Sequence, residues 1–222
     1  RDARLLSCGI EPCEVIDDVC QNIFAQQSKS GAVLAGYNYH LGYVRDNYAV
    51  HRALLKVCCP NRASALLGFF IDTFEKYGHI QNAQGSDEYA FHIHENDDVE
   101  ITGYILLMCY ENYAATGDLS LLRRAYPLIS YCMHAQHSRF KNGMLPFNGD
   151  ETYIAGGLLP RTAINDGSLE SSVLYATALM RLSNLAKLLP FTVYELDIIK
   201  NDPPEVFDRL FDNFVRRGEL FC

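Results

Sequence analysis

Apolar positions recur every three and four residues along most of the chain, the spacing of helices with one buried face. From Glu14 to Gln27 they are Val15, Ile16, Val19, Ile23 and Phe24. A second helix is predicted from about Arg45-Asp46 to Cys58, stopped by Pro60. A third fits Ala63 to Tyr77, with Leu66, Phe70, Phe74 and Tyr77 on one face and Gly78 as its stop. The fourth, roughly Asp97 to Ala115, is apolar nearly all round, as a helix buried on every side must be. Gly117-Asp118 supplies a C-cap and an N-cap in succession. The fifth helix, 119–137, follows with a kink expected at Pro127. The sixth runs from Ser168 to Leu189. Asp202-Pro203-Pro204-Glu205 reads as one more helix start, with Val206, Phe207, Leu210, Phe211 and Phe214 as the buried face behind it.

Strand signals are sparse. The Gly-spaced aromatic stretch Gly36–Tyr43 suits a loop or a short strand, and Met144–Phe147 and Phe191–Tyr194 are short strands at best. The expected class is all-α with small β ribbons. Helical pairs at 46–77, 97–137 and 168–215 recur, and the first helix of the later pairs is the more apolar. That alternation predicts a two-layer toroid of hairpins, with inner helices covered on both sides and outer helices half wet. Long loops precede the inner helices at one end, and loops carry function.

With 222 residues the chain is expected to form one domain, 1–222, with a core that needs no staples. Acidic residues outnumber basic ones by 27 to 19, for a formal charge of −8. A surface of that sign repels phosphate backbones, so no nucleic-acid partner is expected. No segment approaches the ~18 apolar residues of a membrane span, so no membrane partner is expected either. The eight Cys include no Cys-x-x-Cys pair. Free thiols in a cytoplasmic protein are the expectation, without metal or cofactor.

Three polar clusters fall in the loops: Tyr43–Tyr48, His92–Asp98 and Phe147–Tyr153. Arg, Asp, Asn, His and Glu among aromatics is the lining expected of a polyhydroxylated ligand site. Carboxylates and Arg forks take hydroxyl pairs, and aromatic faces cover the apolar side of a sugar ring.

Arg45-Asp46 at a helix start, with Tyr43 just before, resembles the Trp/Phe-x-Arg-Asp motif of six-hairpin glycosidases. The chain is most similar to the glucoamylase family, glycoside hydrolase family 15. Thr116-Gly117-Asp118-Leu119 and Tyr126-Pro127 resemble the junction and outer helix common in these barrels, and Asn96-Asp97 resembles the pair at the second inner helix. Asn148-Gly149-Asp150-Glu151 lies where the family carries its general acid. The resemblance, over residues 37–190, implies an (α/α)6 barrel and a carbohydrate substrate. The implied reaction is inverting hydrolysis of an α-glucosidic bond at a non-reducing end. Tyr43, Arg45, Asp46, Asn96 and Asp97 would bind substrate. Glu151 would be the proton donor, with Asp150 as the alternative, because the motif reads Gly-Asp-Glu where the family has Trp-Glu-Glu. The chain has no Trp, so Tyr37, Tyr39, Tyr43 or Tyr153 would have to stack the sugar. The family's base motif is not found here. Three hairpins are about half of a six-hairpin barrel, so the expectation is the N-terminal part of a larger catalytic domain.

Blander readings stand beside these. Asp46 can simply complement a helix dipole, and Asp150-Glu151 after Asn-Gly can be turn chemistry. His92 and His94 with neighbouring acids can ligate a metal, but a solvated loop is the reading adopted. Ser168, Ser171 and Ser172 read as a cap and a helix face, and His134 and His137 as surface. The rival functions are a non-catalytic helical-repeat binding or scaffold protein, and another six-hairpin carbohydrate enzyme such as a phosphorylase or debranching glucosidase.

Overall fold

The computed structural model describes residues 12–36, 41–86, 99–146, 167–216 and 219–220. In chain order the elements begin with α1 (Pro12–Gln26), β1 (Leu41–Tyr43), α2 (Val44–Lys56) and α3 (Pro60–Tyr77). Next come β2 (Ala83–Gly85), α4 (Val99–Thr116), α5 (Leu119–Arg124) and α6 (Tyr126–His137). The last are α7 (Leu169–Leu182), α8 (Val193–Phe214), β3 (Val215–Arg216) and β4 (Glu219–Leu220). The described residues are mostly helical, as expected. The ribbons are small: β1 pairs antiparallel with β2, Gly42 opposite Gln84, and β3 with β4.

Helix α4 packs against α2, α3, α6 and α7, and α7 packs against α8. Paired side chains reveal the directions. Along α2 and α4, Tyr48 meets Tyr104, while His51 and Arg52 meet Asn112 and Glu111. Along α4 and α7, Tyr104 meets Glu170 and Tyr110 meets Arg181. Both sets ascend together, so α2, α4 and α7 form a row of parallel helices with their N-terminal ends at one end. A second row holds α3, α5, α6 and α8. Asp72 and Glu75 of α3 grip Arg124 of α5, Phe74 stacks on Tyr131 of α6, and Tyr126 and His137 of α6 bond to Glu195 and Asp202 of α8. Fully buried Phe69, Phe70, Ile105, Leu106, Ile129 and Leu179 fill the seam between the rows.

Local chemistry explains most boundaries. Gly78 and Gly117 end α3 and α4 at φ values of 68° and 70°, in the left-handed region that favours glycine. The Asp118 carboxylate then accepts from Leu121 N–H and starts α5. The expected fifth helix is two helices divided at Ala125, with Pro127 in the first turn of α6. Helix α2 ends at Lys56, two residues before the expected Cys58, which instead takes a left-handed φ of 61°; Pro60 opens α3, three residues earlier than the apolar pattern suggests.

The C-terminal reading is corrected. Helix α8 starts at Thr192, in the segment read as a strand, and continues through Pro203 and Pro204 without a new start. Thr192 and Glu195 make a reciprocal capping box. Burial alone would raise the Glu195 carboxyl pKa. Hydrogen bonds from Ser130, Thr192 and Tyr126 outweigh it and hold that pKa below the ordinary value. Asp202, read as an N-cap, is mid-helix and nearly buried. It accepts from Tyr175 O–H at 2.5 Å and pairs with His137 at 2.7 Å. Buried Ile198, Ile199 and Val206 hold the segment on both sides of the prolines. Tertiary packing therefore overrides the ~3 kcal/mol that a helical Pro costs.

Candidate functional site

Of the catalytic and substrate-binding side chains that the sequence singled out, the described ones stand at the N-terminal end of α2. The approach to α2 is fixed by Asn47, which is fully buried. Its Oδ1 accepts from Val33 N–H at 2.9 Å, and its Nδ2 donates to the carbonyls of Val33 and Tyr43 at 2.9 and 2.8 Å. Val44 N–H donates to the Asn82 carbonyl at 2.9 Å, tying the first turn of α2 to the stretch before β2. A helix whose N-cap, Tyr43, makes no side-chain cap is thereby anchored from outside.

On that frame Tyr43 and Arg45 are half-buried and Asp46 is exposed. All three sit at the first turn of α2, where Asp46 also complements the helix dipole. Asn96, Asp97, Asp150 and Glu151 lie outside the described residues, as do Tyr37, Tyr39, Tyr153, His92 and His94. The structure thus places Tyr43, Arg45 and Asp46 together. At the same end Ser168 caps α7, accepting from Ser171 N–H at 3.3 Å, and Ser172 accepts from Leu145 N–H at 3.0 Å. These serines act as cap and helix face, as read. His134 is exposed, but His137 is tied to buried Asp202 and is not simply surface.

Below that end the parallel row carries a belt that the sequence reading did not assign. Tyr104 O–H donates to Glu170 at 2.9 Å, and its ring lies 5.3 Å from that of Tyr48. Tyr48 O–H donates to Glu111 at 3.2 Å, and Arg52 pairs with the other oxygen of Glu111 at 3.3 Å. Burial first, then the Glu111 charge, pushes the Tyr48 hydroxyl up to about 12, so it remains a donor. Tyr48 fell in the Tyr43–Tyr48 cluster, and Tyr104 and Glu111 on the helix read as buried on every side; only tertiary pairing puts them on one face with Glu170.

One buried polar group lies behind the belt. His51 is fully buried, with Nε2 3.2 Å from Asn112 Oδ1 and no partner at Nδ1. Ser64 O–H donates to the same Asn112 oxygen. Burial lowers the His51 pKa to about 4, so the imidazole is neutral at physiological pH.

Among the described residues no three His, Cys, Asp or Glu side chains converge on a metal position. No helix among them is long and apolar enough to cross a membrane. No family model matches the chain, and comparison with curated proteins and with solved structures found no match.

Proposed function

We propose that this chain is a cytoplasmic carbohydrate hydrolase of the six-hairpin, glucoamylase-like kind, cleaving an α-glucosidic bond at a non-reducing end with inversion. The observation that supports it best is the row of parallel helices with Tyr43, Arg45 and Asp46 at its N-terminal end. In an (α/α)6 toroid, that end of the inner row is where substrate enters. Three inner helices, backed by an outer row in which α5 and α6 together replace one helix, support a reading as hairpins of such a ring.

In this reading Arg45 and Asp46 hold hydroxyls of the terminal sugar, as donor fork and paired acceptor. Asn96 and Asp97 add polar contacts from the approach to α4. Glu151, or Asp150 beside it, protonates the leaving oxygen. Inversion needs a second carboxylate ~6.5–9.5 Å from the acid to activate water on the opposite ring face. The acid itself needs a raised pKa, which a site closed to water supplies.

The test is hydrolysis of maltose-type and aryl α-glucosides by the protein and by Asp150→Asn and Glu151→Gln. Loss of ~10²-fold or more in one variant, the scale of general-acid catalysis, supports the assignment. Full activity in both variants overturns it.

A further inference from the structure

Cys58 and Cys59 are neighbours in sequence and form the joint between α2 and α3. Pro60 fixes the first turn of α3, so the chain must reverse within these residues. The joint is a complete Schellman closure of α2. Cys58 N–H donates to the Leu55 carbonyl at 3.2 Å, and Cys59 N–H to the Leu54 carbonyl at 2.8 Å. Such a closure needs a left-handed residue, and Cys58 fills the position at φ 61°. Glycine is its usual occupant, as Gly78 and Gly117 are after α3 and α4. The other described non-glycine residue at positive φ is Asn142, a type that tolerates the region. A cysteine in that conformation, followed directly by a second, is a departure that points to chemistry.

Burial sorts the described thiols. Cys109 of α4 and Cys132 of α6 are buried. Burial pushes the Cys109 thiol up to about 12 and the Cys132 thiol well above its ordinary value, so both stay protonated and inert. Among the described cysteines Cys58 is the exposed one, and Cys59 is half-buried with its Sγ 3.8 Å from the Val57 carbonyl oxygen.

We propose that Cys58 and Cys59 are a reversible redox modification site, a vicinal dithiol that hydrogen peroxide closes to a disulfide. Cys58, being exposed, meets the peroxide first. Its thiolate sulfur attacks one peroxide oxygen; the S–O bond forms as the O–O bond breaks, and the leaving hydroxide takes up the thiol proton as water. The Cys59 sulfur then attacks the sulfenic sulfur of Cys58. The S–S bond forms, the S–O bond breaks, and the hydroxyl leaves with the Cys59 proton as a second water. The two thiols have lost two electrons and two protons, and the peroxide has become two waters. Across the trans peptide the Cα atoms stand about 3.8 Å apart, closer than the ~4.4–6.8 Å of ordinary disulfides, so the bridge is strained and readily reduced. That property suits a switchable modification and not a structural staple. The site uses none of the residues of the glycosidase reading and stands or falls apart from it.

The experiment treats the reduced full chain with a slight excess of hydrogen peroxide, alkylates the remaining thiols in urea, and digests with trypsin without reductant. Cleavage after Lys56 and Arg62 isolates both cysteines in the peptide 57–62. Mass spectrometry should find that peptide unalkylated and lighter by two hydrogens, with Cys109 and Cys132 alkylated. Dithiothreitol added before alkylation should return it to the doubly alkylated form. Cys59→Ser should hold Cys58 as a sulfenic acid that dimedone captures, and Cys58→Ser should leave Cys59 reduced. A doubly alkylated peptide after peroxide overturns the proposal. So does sulfinic acid at Cys58 beside a reduced Cys59, or a bridge from either residue to another cysteine or a second chain. Oxidation of Cys59 in Cys58→Ser at the wild-type rate overturns it as well.

Discussion

Replacing Asp202 with Ala removes the acceptor shared by Tyr175 and His137 at the meeting of α6, α7 and α8. Tyr175 is fully buried, so its hydroxyl would be left without a partner in a dry site, at about 1–3 kcal/mol. The His137 side chain is 30% exposed and can turn to water, so its lost pairing adds under about 1 kcal/mol. The expected sum is about 1–4 kcal/mol, or a fall in Tm of roughly 2–16 °C for a chain of this size. Urea unfolding followed by circular dichroism measures it. Tyr175→Phe alone should cost about 1 kcal/mol, and the double variant should be milder than the sum by about 1 kcal/mol or more. An N-capping Asp202, by contrast, would tolerate Asn or Ser almost freely. Asp202→Ser at wild-type stability, with no coupling to Tyr175, would refute the continuous α8 and its anchor.

Other predictions follow from particular side chains. Asn47→Ala strands the buried Val33 N–H and two carbonyls, and should cost about 2–4 kcal/mol in the same unfolding assay while lowering substrate affinity through Arg45 and Asp46. Gly31→Ala should be severely destabilising: Gly31 has φ 104°, and an added Cβ would lie 2.1 Å from the Ala65 carbonyl oxygen. Gly68→Ala, in open space within α3, should instead stabilise by up to about 1 kcal/mol. His51 is expected to make the fold acid-sensitive. Its pKa falls from 6.5 to about 4 on folding, so the unfolded chain takes up the proton first. That contribution is complete above pH 6.5 and is lost as pH falls from 6.5 to 4, by about 3 kcal/mol at the lower end. Unfolding measured across that window should lose this slope in His51→Gln, and a wild type with flat stability there would contradict the burial argument.

Much of the helical framework was legible because local chemistry and burial agree. Gly78, Gly117 and Asp118 mark ends and starts that need a left-handed residue or a capping carboxylate, and the structure puts them there. The near-complete apolarity of α4 was a fair sign of its central position. Where local and tertiary signals conflict, the sequence misled. Pro203-Pro204 is a helix start by every local rule, yet contacts of Asp202 and Ile198 on distant helices decide the matter. The capping box at Thr192 was legible in principle as Thr-x-x-Glu, but β-branched and aromatic neighbours disguised it as a strand. Of the candidate site, Tyr43, Arg45 and Asp46 were readable from order along the chain. The belt of Tyr48, Tyr104, Glu111 and Glu170 was not, because its partners lie 63 to 66 residues apart.

The most direct test of the glycosidase account is proton NMR of a maltooligosaccharide incubated with the protein, read within minutes of mixing. Release of β-glucose from the non-reducing end ahead of mutarotation, lost in Glu151→Gln or Asp150→Asn, is the predicted result. Release of α-glucose would contradict the inverting mechanism, and no released sugar at all would contradict the assignment as a hydrolase.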